Sequence, residues 1–442
     1  MSGHEGAPGR ESQPRSWIPA HGLSGAMVVG VLFQGAGLVL ARVDLAILGL
    51  PFLLVAAAAL GAWPGRIPDK PVSVDLTPAT DGAELAFVLS VPSSLGVEGV
   101  SLRVGVFGDR GDEFLLTEGS AQSLRGLLPV LHSGPQELFR IDHRLLGRDA
   151  LLLASQAEVV RVSRVIPPAH VTLASLPLPR RLLGLTGTHD SSRPGEGGNF
   201  HDIHPFVPGD RLRRIDWKTT ARRGRFTGDL YVRRASATSE ATVVIVMDSR
   251  DDVGEQVAEW QRNRPAQKGI GSLDLAREAA ASLAAAYVRA GDRVGFNDLA
   301  GSARMVAPGG GGRQLRRLQQ AIALTQQPSG GPTHRRRLPI LPAGAIVYVL
   351  STFLDDEIGR MAALWRRAGH RVIAVEALPA ARFDRTTRTE RIAHRILLME
   401  RGDRIRSLAA QGVEFLTWQE SDSASSRATG LRMLSRPARG PR

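Results

Sequence analysis

Two uncharged apolar stretches lie close together near the amino terminus, from Gly22 to Ala41 and from Leu45 to Trp63. Only Arg42, Val43 and Asp44 separate them. A helix needs about 20 apolar residues to cross the hydrocarbon core of a bilayer, and each stretch has roughly that length. A cleaved signal peptide has a shorter apolar region and no second span behind it, and a soluble helix pair usually carries a polar face. The pattern therefore predicts a transmembrane helical hairpin over residues 22–63.

Basic residues around the hairpin set its predicted orientation. Four flank the outer ends of the two spans and one lies in the connecting turn: Arg10, Arg15, Arg66 and Lys70 outside, and Arg42 in the turn. Cytoplasmic loops of membrane proteins carry an excess of lysine and arginine. We therefore expect both termini in the cytoplasm, a cytoplasmic tail over residues 1–21, and a multi-pass protein of the cell membrane.

Short alternating segments follow between residues 71 and 180, separated by proline, glycine and serine. Five of them have the alternation of half-buried strands: 72–76, 84–91, 100–107, 137–141 and 158–162. Short strands with regular turn signals are typical of an all-β sandwich, so we expect a β-sandwich module over 71–180. Glycine, serine and proline then crowd residues 181–200, which predicts a loop at the start of a linker and signature segment over 181–234.

The pattern changes at about residue 235, where continuous apolar segments begin to alternate with helical ones. The predicted strands are 241–247, 292–296, 345–350, 370–375 and 413–418, and the predicted helices are 272–289, 313–324, 357–368 and 391–411. Uninterrupted apolar strands are typical of a sheet covered on both faces. We expect a doubly wound, mostly parallel α/β sheet over 235–420, with Ser272 as a helix N-cap. Residues 421–442 are rich in serine, arginine, proline and glycine and predict a disordered basic tail.

The formal net charge of +13 indicates an anionic partner, which can be a membrane surface, a nucleic acid or an acidic protein. Much of the excess lies in three arginine clusters, within residues 211–214, 222–225 and 335–337. The inner leaflet of the membrane is the nearest anionic surface for a tethered chain. Aromatic residues make up only 5% of the chain, so stacking contacts with nucleic acid are scarce and this partner is not favoured.

Acidic residues crowd the carboxyl end of the first apolar strand of the α/β region. The strand at 241–247 is followed by Asp248, Ser249, Arg250, Asp251 and Asp252. Ligands of open α/β sheets bind at the carboxyl ends of the strands, and carboxylate oxygens suit Mg²⁺. The alternative is that these acids are solvated or cap the following segment.

A second candidate site runs from Val207 to Arg222. Pro208 and Gly209 form a turn, and acidic and basic side chains then alternate. The favoured interpretation is an ion-paired loop in which Asp210 and Asp216 meet nearby arginines and Trp217 is an apolar anchor. A catalytic role is the less favoured alternative.

This segment resembles the signature of the domain-of-unknown-function 58 (DUF58) family. The matching residues are, in order, Pro208, Gly209, Asp210, Arg213, Ile215, Asp216, Trp217, Lys218, Ala221 and Arg222. The resemblance implies a membrane hairpin and a β-rich module before the signature. It also implies that the last domain is similar to the von Willebrand factor A fold.

That fold often holds a metal ion with an Asp-x-Ser-x-Ser motif and residues of later loops, and this chain departs from the pattern. Asp248 is kept, but Arg250 and Asp252 stand where the serines belong, and Thr352 stands where an acid is usual. Mg²⁺ binding through Asp248 and Asp252 is therefore not favoured. Arg250 either replaces the ion by binding a partner carboxylate, or forms an internal ion pair with Asp248 and Asp252. The second hypothesis is favoured.

Binding rather than catalysis is the expected function, and no catalytic residue is assigned. The resemblance implies a membrane-anchored cytoplasmic protein-interaction module that serves as an adaptor or co-chaperone for a MoxR-type AAA ATPase. One alternative is an enzyme of unknown reaction that uses the turn from Asp248 to Asp252 together with Asp216. Another is binding of nucleic acid or anionic lipid through the arginine clusters.

Overall fold

A computed structural model describes most of the chain, and the account below concerns only the residues it describes. These are 16–61, 73–78, 84–91, 99–106, 111–117, 122–130, 132–147, 150–155, 158–179, 182, 187–226, 228–262, 269–301, 303–328, 339–384, 386–419 and 424–435. Backbone contacts divide the chain into two compact units. The first comprises residues 1–130 and 136–164, and the second comprises residues 131–135 and 165–442.

The first unit contains nine strands and the helical hairpin among its described residues. They are β1 (Trp17–Pro19), β2 (Ser73–Pro78), β3 (Glu84–Val91), β4 (Gly99–Val106), β5 (Asp112–Thr117), β6 (Gln122–Pro129), β7 (Gly134–Leu146), β8 (Leu152–Ala154) and β9 (Glu158–Ile166). One antiparallel sheet has the order β1-β8-β7-β4-β5, with β9 also paired to β7, and the other has the order β2-β3-β6. The rings of Phe87 on β3 and Phe139 on β7 lie 4.9 Å apart, so the two sheets are in contact. All five predicted strand segments overlap strands, with residues 72 and 107 outside the described part of the chain. The strands β1, β5, β6 and β8 were not predicted.

The hairpin consists of α1 (His21–Val39) and α2 (Val43–Gly61), joined by a short turn. Leu23, Gly30 and Gly37 are buried on α1, and Gly49, Ala56 and Ala59 are buried on α2, so a spacing of seven residues recurs on both helices. A Cβ atom on Gly49 would lie 2.9 Å from the backbone oxygen of Gly30, so only glycine permits this approach. Small residues at helix contacts are typical of membrane proteins. Both helices are long and apolar enough to cross a membrane.

The second unit begins with a two-stranded antiparallel sheet of β10 (His189–Pro205) and β11 (Tyr231–Ser239), and the helix α3 (Trp217–Arg223) lies between them in sequence. The loop predicted over 181–200 is therefore wrong for residues 189–200. Glycine and proline weaken strand propensity, but three shifts of register along the pairing with β11 accommodate them. The structure thus places half of the predicted linker in regular secondary structure.

The larger sheet of the second unit alternates strands and helices. Its elements are β12 (Thr242–Met247), α4 (Ser272–Arg289), β13 (Arg293–Asp298), β14 (Val306–Gly309), α5 (Gly311–Ala323), β15 (Ile346–Ser351), α6 (Glu357–Arg367), β16 (Arg371–Glu376), α7 (Arg388–Ala410) and β17 (Glu414–Thr417). The strand order is β14-β13-β12-β15-β16-β17, and only β14 runs antiparallel to its neighbour. The strands bury both faces, because Ile245 packs among residues of α4 on one side and Val246 packs with Trp365 of α6 on the other.

Two predictions at element ends are wrong. The N-cap of α4 is Gly271 rather than Ser272, whose hydroxyl instead accepts a hydrogen bond from the backbone N–H of Val253. The predicted disordered tail contains a helix, α8 (Ala424–Ser435). Leu431 of α8 is fully buried in the core of the second unit, and the guanidinium of Arg427 lies over the ring of Trp418. This burial stabilises a helix that its own composition does not predict. Residues 436–442 of the tail lie outside the described residues.

Candidate functional site

The strand order of the large sheet creates a crevice between β12 and β15, because the chain leaves these two neighbouring strands in opposite directions along the sheet. Such a switch point is where ligands bind in open α/β folds. Asp248 and Ser249 follow β12 here, and Ser351 ends β15. The hydroxyl of Ser351 donates a hydrogen bond of 2.9 Å to Oδ2 of Asp248, and the hydroxyl of Ser249 donates to Asp298. The acidic residues that follow β12 therefore begin at this switch point.

Arg250 fills this crevice and is held by three carboxylates. Its Nε donates to Oδ1 of Asp248 at 2.7 Å and its Nη2 donates to Oδ2 of Asp248 at 2.9 Å, which makes a bidentate pair. Its Nη2 also lies 2.9 Å from Oδ2 of Asp355, and its Nη1 lies 2.6 Å from Oε2 of Glu357. The side chain of Arg250 is 1% exposed and that of Asp248 is 4% exposed. We call this set of four residues the arginine cluster.

The arginine cluster controls the charge of its members. Burial alone would lower the pKa of Arg250, but the hydrogen bonds and charges of its carboxylate partners outweigh burial and raise the pKa. Asp251 lies beside the cluster and is half-buried. Burial, together with the negative charges of Asp248 and Asp355, raises the pKa of Asp251 to about 6. Asp251 therefore ionises closer to neutral pH than an ordinary aspartate.

Two of the predicted site residues do not join the arginine cluster. Asp252 turns away toward the amino end of α4, where its Oδ1 accepts from the backbone N–H of Leu273 at 3.2 Å. The hydroxyl of Thr352 accepts a bond of 3.4 Å from the N–H of Leu354 in its own turn. The internal ion pair of Arg250 thus includes Asp248 but not Asp252. Asp355 and Glu357 were missed, although their place directly after β15, at the same sheet edge, was a usable signal.

The oxygen ligands available at the crevice do not fit a magnesium site. Both oxygens of Asp248 accept hydrogen bonds from Arg250, and one also accepts from Ser351. A guanidinium therefore occupies the position where a divalent ion would meet this carboxylate. Among the described residues, no group of three or more histidine, cysteine, aspartate or glutamate side chains has the arrangement of a metal site.

The acidic residues of the signature segment bind the backbone rather than arginine side chains. Asp210 accepts from the N–H of Val207 at 3.0 Å and so closes the turn at Gly209, whose φ of +110° favours glycine. Asp216 is the N-cap of α3 and accepts from the N–H of Thr219 at 2.9 Å. The ion-paired loop expected from the sequence is therefore wrong in its pairing, because these carboxylates serve local backbone N–H groups.

Trp217 was expected to be an apolar anchor, but 68% of its surface is exposed. It is the first residue of α3, and the side of the helix that faces β11 is formed by Thr220, whose hydroxyl accepts from the N–H of Tyr231 at 3.0 Å. The other signature residues of α3, Lys218, Ala221 and Arg222, are exposed as well. Arg213 is exposed, and Ile215 is half-buried and pairs with Val232 of β11. The signature therefore presents a surface instead of lining an interior site.

A groove of about 810 Å³ lies along α7. Its lining includes Phe383, His394 and Met399, and His394 packs edge-on against the rings of Trp260 and Phe383 with centroids 5.1 Å away. Large apolar side chains of α7 remain exposed near it: Ile392, Ile396, Leu398 and Met399. Arginines also line the groove: Arg391, Arg395 and Arg406. This groove was not predicted from the sequence, because it depends on how α7 packs.

Comparison with known proteins returns one family. The model described as "Protein of unknown function DUF58" matches residues 202–381, which include the signature segment, the arginine cluster and the sheet as far as β16. No curated protein matches the chain, and no solved structure matches it. Two of the arginine-rich stretches noted in the sequence, 211–214 and 222–225, also lie within the matched range. The third, 335–337, lies outside the described residues.

Proposed function

We propose that this chain is a membrane-anchored protein-interaction module whose second unit lies in the cytoplasm and binds an AAA ATPase of the MoxR type as an adaptor. In this proposal α1 and α2 cross the membrane as a hairpin, and both termini are cytoplasmic. The length and apolar surface of the two helices support the crossing, and the positive charges outside the spans support the orientation. The nature of the partner follows from the resemblance to the DUF58 signature.

The observation that carries protein binding is the exposed apolar row of α7. Ile392, Ile396 and Met399 recur at spacings of four and three residues, so they follow one side of the helix. Contiguous exposed apolar patches on soluble domains are typical of interaction sites. The groove beside them is lined by three arginines and by Asp403. The complementary partner segment is an amphipathic helix with an apolar stripe and acidic flanks.

The proposed similarity of the second unit to the von Willebrand factor A fold is supported by its strand order and by Asp248 at the switch point. In this chain the arginine cluster takes the place of a metal ion. Arg250 is too deeply buried to meet a partner carboxylate. Partner binding at the α7 groove would therefore be independent of Mg²⁺.

An enzyme that combines Asp216 and Lys218 with Asp248 is not favoured by the geometry. Asp216 caps α3 and Lys218 is exposed, whereas Asp248 is buried under Arg250. Their positions do not converge on one deep pocket, which acid–base chemistry by these three groups would require.

Site-specific photo-crosslinking in native membranes tests the proposal. A photoreactive amino acid at Ile396 of the full chain is expected to capture a MoxR-type ATPase, identified by mass spectrometry. The same probe at the exposed Met433 of α8 serves as the control. Ile392→Asp should abolish the adduct without unfolding the chain, because this side chain is exposed. Equal labelling from both positions, or an adduct with another class of protein at Ile396, would reject the proposed partner.

A further inference from the structure

The signature segment exposes large apolar side chains on a polar part of the second unit. Leu212 is 68% exposed, Trp217 is 68% exposed and Phe226 is 79% exposed. They lie within 15 residues around α3, a helix of seven residues that is about 10 Å long. Exposing three such groups together costs free energy in water, so the surface is suited to a partner that receives them.

The same segment is strongly basic, and its acids do not neutralise it. Residues 207–231 contain seven basic and three acidic side chains. Each carboxylate accepts from nearby backbone N–H groups: Asp210 from Val207, Asp216 from Thr219, and Asp229 from Arg225 and Phe226. The seven basic and three acidic groups leave an excess of four positive charges (seven minus three), and Lys218, Arg222 and Arg223 lie at the exposed surface.

Helix geometry places the apolar and basic groups side by side. Trp217 and Ala221 are four residues apart and share one row along α3, and Lys218 and Arg222 form the adjacent row. Thr220 holds the helix to β11 through its hydrogen bond with Tyr231. We call the exposed apolar and basic side chains of this segment the basic aromatic face: Leu212, Trp217, Lys218, Arg222, Arg223 and Phe226.

We propose that the basic aromatic face binds the anionic phospholipid surface of the membrane in which the hairpin is anchored. This inference rests on the proposed membrane anchor. Tryptophan and phenylalanine partition to the headgroup level of bilayers, and arginine and lysine are attracted to anionic lipid. A lipid surface also accepts the aliphatic side chain of Leu212, which nucleic acid stacking does not use.

Anchoring makes this second contact intramolecular. The hairpin holds the rest of the chain near the bilayer, so the basic aromatic face meets lipid at a high effective concentration. Each lysine or arginine near an anionic surface favours the docked state, and removing three of them lowers the ratio of docked to undocked protein about 100-fold. High salt lowers the same ratio, because it screens exposed charges.

The chain contains no cysteine, so one introduced cysteine can be labelled alone. Ala221→Cys places a fluorophore on the basic aromatic face without removing Trp217 or Phe226. Met305→Cys is the matched control, because it is exposed and lies in a different segment. The full chain is reconstituted into vesicles of phosphatidylcholine alone or of an equal mixture with phosphatidylglycerol. Flotation and quenching by lipid-borne nitroxides are measured in low and high salt.

The expected result is quenching at Ala221→Cys in the anionic vesicles only. The quenching should be lost in high salt and in a variant that combines Lys218→Gln, Arg222→Gln and Arg223→Gln. The Met305→Cys label should not be quenched. Flotation in both lipids with no quenching at Ala221→Cys would overturn the lipid contact and leave the anchor standing. Flotation with anionic vesicles alone, reversed by salt, would instead overturn the anchor and support the contact. Blue-shifted emission at Ala221→Cys with single-stranded DNA but not with anionic vesicles would overturn the contact in favour of nucleic acid.

Discussion

Arg250→Met removes the only cation of the arginine cluster and leaves its carboxylates facing one another. Asp248 is the most affected, because its side chain is 4% exposed and both of its oxygens lose their guanidinium partner. Asp355 and Glu357 are more accessible and can be hydrated. Removing one member of a buried ion pair typically costs about 3–5 kcal/mol. We therefore expect a loss of that size in the stability of the second unit.

Thermal melting of the full chain in detergent, followed by near-ultraviolet circular dichroism, measures this loss. For a domain of this size about 1 kcal/mol corresponds to roughly 2–4 °C, so the midpoint should fall by about 6–20 °C. Arg382→Met is the matched control. Its side chain is 61% exposed and lies 3.6 Å from its carboxylate partners, so it should cost at most about 1 kcal/mol.

A second substitution separates the buried charge from the lost packing. Adding Asp248→Asn to Arg250→Met removes the unpaired carboxylate, and the double variant should regain part of the lost stability. If Arg250→Met melted with the control, or if the double variant melted below the single one, the ion-pair argument would be refuted.

Other features of the structure give four further expectations. Asp251 has a folded pKa of about 6, above its ordinary value, so its ionisation destabilises the fold as pH rises from about 4 to 6. Asp251→Asn should therefore stabilise the chain by about 1–2 kcal/mol at neutral pH and have little effect at pH ~4. Thermal melting across this pH range measures the difference. Trp217→Ala should change stability by less than about 0.5 kcal/mol, whereas Trp418→Ala, at a fully buried residue, should cost about 3–5 kcal/mol in the same denaturation assay. Asp216→Ala should lower the free energy of unfolding by about 1 kcal/mol, because α3 loses its N-cap. Asp216→Asn keeps a hydrogen-bond acceptor and should lower it less. Equal losses of stability in the two variants would contradict the capping role. Gly49→Leu should separate α1 from α2 and lower the thermal stability of the hairpin in detergent, followed by far-ultraviolet circular dichroism. Gly35→Leu, where a Cβ meets no neighbour, should leave that stability unchanged.

Most secondary structure of the second unit could be predicted because its signals are local. The apolar strands at 241–247 and 345–350 and the helix at 272–289 lie where their periodicity indicates. The strand at 189–205 could not be predicted, because glycine and proline there oppose strand formation. Its interstrand hydrogen bonds come from pairing with β11, and even the pair nearest in sequence, Pro205 and Tyr231, is more than 25 residues apart.

The candidate site shows the same division. The position of Asp248 at a strand end was evident from the sequence, because a buried strand followed by acids marks a sheet edge. The identity of its neighbours was not evident, since it depends on β15 lying next to β12. That adjacency brings Asp355 and Glu357 to Arg250 across more than 100 residues of chain.

The sequence alone therefore determined the two apolar helices and the alternation of strands and helices, because apolar periodicity acts over one or two turns of backbone. The tertiary structure decided which charges are neutralised and which apolar groups stay in water. Asp252 accepts a hydrogen bond from Leu273 at the start of α4 instead of binding Arg250, and Trp217 lies on the surface instead of in a core. Such outcomes depend on the order of the strands within the sheet, because the partner of a buried charge is set by proximity in space and not by distance along the chain.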